Sequence, residues 1–149
     1  MNQLKKQALA NNTYNFSFSK GFVTTQEGNA AIDDAIKYLT GIKKSYPLYW
    51  SDGLYNSTKV QFANLQAGKT NQGSAEFTQR IKTFETKAKS VGENVITGES
   101  WFGIGKFAVL RMVIDDGVPS RENRKNIFST KYNMSGISSG SGLTVIDFA

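Results

Sequence analysis

The chain contains neither cysteine nor histidine. Without thiols there is no disulfide framework, thiolate metal site or thiol nucleophile. Without imidazoles, Cys/His zinc sites, the Ser-His-Asp triad and imidazole acid–base chemistry are excluded as well. Carboxylates, Lys, Tyr, Ser and Thr are the reactive groups that remain. Long apolar runs are also missing. No window approaches the length that spans a bilayer, and Lys5 and Lys6 are followed only by Ala8-Leu9-Ala10 before Asn11-Asn12-Thr13, short of a signal peptide's apolar stretch. A cytoplasmic protein is the expectation, although a chain already stripped of a leader would look the same.

What is present suits one globular domain. The 149 residues are 39% hydrophobic and include ten Phe, six Tyr and two Trp, enough apolar surface for a core. The formal charge of +6 favours acidic partners through long-range attraction. Solubility is the plainer explanation, because the lysines are spread and no block of five basic residues occurs.

Residues 1–27 are rich in Asn, Gln, Ser and Thr and carry Tyr14, Phe16, Phe18 and Phe22 at nearly alternate positions. In an extended arm, alternation would put Tyr14, Phe16 and Phe18 on one face, to be covered by a partner or by the chain's own domain. Residues 28–149 form that domain. Ile32, Ala35, Ile36, Leu39 and Ile42 recur at helical spacing over 29–45, with Asp33 and Asp34 early and Lys43 and Lys44 late, as the helix dipole prefers. Tyr46-Pro47 is its stop signal. A second helix is expected over 53–67 with Leu54, Thr58, Phe62 and Leu65 inward and Gly68 as its terminator. A third, capped by Ser74, carries Phe77, Ile81 and Phe84 on one face.

Residues 91–97 read as a strand, and a largely buried helix follows from about Ser100 to Ile114, closed by Asp115-Asp116-Gly117. A short helical segment with Ser120 as cap runs through Arg121, Arg124 and Phe128. Two antiparallel strands flank Gly140-Ser141-Gly142. The sum is about four helices and three strands, an α+β arrangement around a small antiparallel sheet.

Three stretches in this order resemble the CAP superfamily, also known for its SCP domains, which includes cysteine-rich secretory and pathogenesis-related proteins. Pro47-Leu48-Tyr49-Trp50-Ser51-Asp52-Gly53-Leu54 is similar to its Leu-x-Trp-x-x-x-Leu element, and Gly92-Glu93-Asn94-Val95 to its Gly-Glu-Asn-Ile strand. Residues 115–128 resemble the Asp-Asp-Gly-Val-Pro-Ser-Arg-Gly-His-Arg-x-Asn-Ile-Leu form of bacterial and protist members, and residues 144–149 its last strand. The resemblance covers roughly 29–149 and implies an α-β-α sandwich with a cleft of two His and two acids able to hold a metal such as zinc. Here Glu122-Asn123 stand in place of Gly-His, and no His occurs near Gly68-Lys69, where the other is expected. The matched residues therefore outline a degenerate cleft of Glu93, Asn94, Asp115 and Asn123, with Glu93 and Asn94 in a buried hydrogen-bonding role.

No metal, cofactor or catalytic residue is expected from this set. Two or three oxygen donors without a cage pattern do not specify calcium or magnesium. The expectation is a non-catalytic, pseudoenzyme-like scaffold module docking into a larger intracellular protein assembly with an acidic surface. A microtubule (tubulin-like) wall would suit the charge and the arm, and with it a ciliary or cytoskeletal place. The alternatives are a sterol or lipid carrier, which the family resemblance brings in, and a residual hydrolase on Glu93 and Asp115. Gly103-x-Gly105-Lys106 lacks phosphate-loop spacing. Lys82, Lys87 and Lys89 lie beside aromatics but without a nucleic-acid module, so a solvated helix face is expected of them, and for Arg121, Arg124 and Lys125 ion pairing with Asp115 and Asp116.

Overall fold

The protein is described by a computed structural model covering residues 8–9, 13–15, 22–42, 46–69, 74–98 and 105–149. Strands β1 (Ala8–Leu9), β2 (Thr13–Asn15) and β3 (Phe22–Thr24) form a small antiparallel sheet in the order β1-β2-β3. Tyr14 lies in β2 and Phe22 in β3, whereas Phe16 and Phe18 fall outside the described residues.

The main sheet has four strands: β4 (Tyr49–Trp50), β5 (Gly92–Thr97), β6 (Met134–Gly140) and β7 (Leu143–Phe148), in the order β4-β6-β7-β5. The last strand in sequence thus runs between two earlier ones, and all six of its residues are buried. It pairs antiparallel with both neighbours through the register Glu93↔Asp147 and Gly136↔Asp147. Ser141 and Gly142 join β6 to β7 with φ of 47° and 75°. Two consecutive positive φ values give a turn whose twist matches that of the hairpin. The sheet is mixed, not purely antiparallel, because β4 adds a short parallel edge beside Met134 and Ser135.

Helices α2 (Asp52–Gln66) and α3 (Ser74–Phe84) cover one face of this sheet, and α4 (Gly105–Ile114) and α5 (Glu122–Ile127) the other. Helix α1 (Asn29–Gly41) packs on α4. Strand alternation sorts the core accordingly. Leu54, Ile81 and Ala149 cluster with Met134 and Val91 under α2 and α3. Met112, Ile146 and Phe148 cluster with Leu48 and Ile96 on the opposite face. The α+β sandwich expected from the sequence is the observed fold.

Several local expectations are corrected. The inward face of α2 is Leu54, Ser57, Thr58 and Gln61, while Phe62 and Leu65 are only half-buried. Polar partners drive that rotation: Thr58 Oγ1 meets Ser138 Oγ at 2.8 Å, and Ser57 and Gln61 meet an arginine described below. Phe84 lies at the exposed end of α3 rather than on its buried face. Ser51 caps α2, its hydroxyl accepting from the Leu54 N–H at 3.1 Å.

Ser120 does not cap α5. Arg121 holds the cap position in a left-handed conformation, and no side chain from that position caps the helix. A distant residue supplies the acceptor: Asp115 receives the Arg124 N–H at 3.1 Å and the Asn123 amide at 2.7 Å. A carboxylate at a helix N-terminus satisfies free N–H groups and faces the positive end of the dipole.

The basic residues of 121–125 do not pair with the Asp115 and Asp116 carboxylates as expected. Arg121 makes a two-pronged bond to Glu27, at 2.6 and 2.5 Å, and reaches Asp34 at 3.0 Å. Arg124, 1% exposed, donates to the Val113 and Ile114 carbonyls at 2.6 and 2.8 Å and to Asp34 at 2.8 Å. Asp116 instead accepts the main-chain N–H groups of Gln26 and Glu27 at 2.8 and 2.9 Å. Residues 26–34 are thereby strapped to residues 113–124. Asp34 serves this strap and not the first turn of α1, which carries no acid.

Gly136 is where α2 and the sheet touch main chain to main chain. A methyl group there would collide with the Leu54 and Tyr55 backbone. Gly136→Ala is expected to destabilise the fold by about 2–3 kcal/mol, the cost of overpacking a rigid contact. Gly41→Ala, with open space around its site, should be neutral or slightly stabilising. Urea unfolding of both variants checks the difference.

Candidate functional site

Glu93 and Asp147 face each other directly on neighbouring strands, beneath α2 and α3. Like charges in that register repel, and both side chains are nearly removed from water, 4% and 0% exposed. Arg80, on the inner face of α3, lies between them. Its Nη2 donates to Glu93 Oε2 and to Asp147 Oδ1, the latter at 3.1 Å. Its Nη1 donates to Gln61 Oε1 at 3.0 Å and its Nε to Ser57 Oγ at 3.2 Å, both on α2. All three nitrogens of the guanidinium are therefore engaged, and no buried side-chain polar atom among the described residues is left without a partner.

One cation between two carboxylates leaves the cluster a negative charge in excess if both acids ionise. Burial, followed by the neighbouring Asp147, pushes Glu93 up to about 7 against the pull of Arg80. Burial raises Asp147 too. At neutral pH the cluster is thus poised to hold one proton between its two acids.

The four residues expected in a single cleft divide between two networks. Consecutive strand residues point to opposite faces, so Glu93 joins Arg80 under α2 and α3 while Asn94 turns toward α4 and α5. There Asn94, fully buried, donates to the Asn123 carbonyl at 2.9 Å and accepts from Asn126 at 2.9 Å. Asn123 in turn donates to Asp115. Asn94, Asp115 and Asn123 form one structural network that ties β5 to α5, and Glu93 belongs to another. Glu93 and Asp115, paired in the hydrolase alternative, thus lie on opposite faces of the sheet. The partner that Glu93 does have, Asp147, was missed, as were Arg80, Ser57 and Gln61. A lone Asp inside the apolar run Val145-Ile146-Asp147-Phe148 is the signal that could have found it, since a buried acid requires a counter-charge.

Neither network fits a divalent metal. The nitrogen ligands are absent from the chain. Arg80 occupies the space between one pair of carboxylates, and the carboxylate of Asp115 is taken up by N–H donors. No group of three or more metal-ligating residues occurs among the described residues.

No family model and no curated protein sequence matches the chain. Among solved structures, it is similar to an extracellular protein containing an SCP domain from Bacillus anthracis str. Ames, at a TM-score of 0.56 and 14% identity. The likeness covers 83% of this chain and 39% of that one. The fold is SCP-like. At this identity the likeness concerns the backbone arrangement, which hosts unrelated activities. No helix among the described residues is long and apolar enough to cross a membrane.

The buried cluster of this SCP-like fold makes two expectations measurable. Arg80→Leu leaves two facing carboxylates without their cation and should cost about 3–5 kcal/mol, the range for breaking a buried ion pair. Adding Glu93→Gln to that variant should recover part of the loss, and chemical denaturation of the cycle reads both effects.

The pH dependence follows from the sign of the shift. With Glu93 raised above its ordinary 4.5, the folded chain binds more protons. Its contribution is full below 4.5 and is lost as pH rises through about 7. The strap acts oppositely. Its hydrogen bond from Arg121 holds Glu27 down at about 2, so its contribution is present above 4.5 and is lost as pH falls through about 2. Glu93→Gln should flatten the decline between pH 4.5 and about 7 and leave the acid limb between 4.5 and about 2 unchanged, as measured by thermal melts across both ranges.

Proposed function

We propose that the chain is a non-catalytic interaction module built on the SCP-like sandwich. The observation that carries this reading is the position of Arg80. A carboxylate that acts as acid, base or ligand has to reach a bound molecule, and Glu93 and Asp147 instead turn toward an internal cation flanked by α2 and α3. The donors of that cation are spent on the protein's own side chains, so the cluster serves to join helices to sheet.

The surface offers a docking edge. Strand β4 is only two residues long and pairs on one side with β6, and Tyr49 and Trp50 are 67% and 56% exposed, with Tyr46 beside them at 52%. Trp50 packs against Tyr55 at 5.4 Å between ring centroids, and its indole N–H is held by Asp52 at 2.9 Å. Exposed Trp and Tyr on rigid elements are the residue types that dominate protein–protein contacts. Short sheet edges are also where added chains pair. The charge of +6 suits an acidic protein partner, to which the aromatic residues of 1–27 would add a second contact.

Cross-linking mass spectrometry on native material is expected to connect the region of Tyr46 and Trp50 reproducibly to one large partner, and Trp50→Ala should remove those cross-links without changing the melting temperature. Wild type and Glu93→Gln should both show no turnover above blank on polysaccharide and peptide panels. Turnover in the wild type that Glu93→Gln abolishes would refute the module and restore the hydrolase.

A further inference from the structure

A concavity separate from the Arg80 cluster lies between the α3–β5 connection and the α5–β6 connection. It measures about 370 Å³ and is lined by Lys87 and Lys89 from the first segment and by Lys131 from the second. The half-buried Tyr132 and Met134 also line it and give it an apolar part. All three lysines are exposed. None of their ammonium groups forms an ion pair or hydrogen bond among the described residues, because every cation in the salt bridges found there is an arginine. Ala149 borders the same space with its main-chain carboxylate, one oxygen of which accepts the N–H groups of Asn133 and Met134 at 2.8 and 3.0 Å. Three ammonium groups brought together by two distant segments outnumber the single carboxylate of Ala149 and make a concave positive potential that an anion relieves.

We propose that this pocket binds a compact organic phosphate carrying at least two negative charges. Lysines are point-charge phosphate binders and need no planar fork. The volume lies at the small end of the range for ligand pockets, and its apolar lining can cover the organic part of the molecule. An open concavity of this volume between two loops accommodates a compact ligand. The site is independent of the docking edge at β4 and of the reading of Arg80.

The test is an amide-resolved NMR titration of the full chain with inorganic pyrophosphate and, in parallel, with a hexaglutamate peptide. Pyrophosphate is expected to give saturable shifts confined to the amides of 87–90 and 130–134, with a Kd below ~1 mM. The triple variant K87Q/K89Q/K131Q changes only exposed side chains and should melt as the wild type does. It should weaken binding by about tenfold or more, the change expected from losing ~1.4 kcal/mol of attraction. Shifts of equal size in the triple variant, shifts scattered over every lysine of the chain, or no saturable shift would each overturn the proposal. Tighter saturation of the same amides by hexaglutamate would also overturn it, and would assign the pocket to an acidic protein segment.

Discussion

Everything in the main sheet depends on one guanidinium. Two acids placed opposite each other on adjacent buried strands would force those strands apart, and the strand that carries Asp147 is the one with which both β5 and β6 pair. Arg80 turns that repulsion into a fastening, because the same side chain also takes hold of Ser57 and Gln61 on α2. Two strands and two helices thus share one cation. Its inner position obliges α3 to sit over the strands at a fixed height, and α2 then fits where Gly136 leaves room.

The other face is held by neutral amides and by a strap. Asn94, Asn126 and Asn123 pass hydrogen bonds from β5 to α5, ending on Asp115, which also caps that helix. Arg121 and Arg124 reach outward from the same segment to Glu27 and Asp34. Arg124 additionally stoppers the C-terminus of α4, where main-chain carbonyls would otherwise lack donors, and lies over the Tyr38 ring. The stretch of the chain most like the CAP pattern is here a piece of internal joinery, whose Asp115, Arg124 and Asn126 side chains are turned inward to neighbouring elements.

Much of the framework was legible. The helical spacing of Ile32, Ala35 and Ile36, the stop at Gly68, the alternating strand that begins at Gly92 and the glycine-flanked hairpin each follow from local rules that burial on a single face reinforces. The site was less so. Sequence reading placed Glu93 and Asp115 together because both matched one pattern, yet strand alternation sends Glu93 and its neighbour Asn94 to opposite faces. The roles of Ser57 and Gln61 were hidden because their positions on α2 look solvent-facing until a buried arginine requires acceptors. The cap of α5 was also out of local reach: Ser120 stands in the usual place, whereas the acceptor lies several residues earlier in a loop that folds back. Tertiary partners, which no periodicity encodes, decided each of these cases.

The sheet order has a bearing on how the chain is made. Strand β7 is the last element in sequence and lies between β6 and β5, so both neighbours lack an interior partner until residues 143–148 have been synthesised. Vectorial emergence from the ribosome therefore presents helices α2 and α3 with an unfinished surface and Glu93 with its cation but without the second acid. The sandwich cannot close progressively from its N-terminus. Until residues 143–148 are present, the edges of β5 and β6 are open to pairing with other chains.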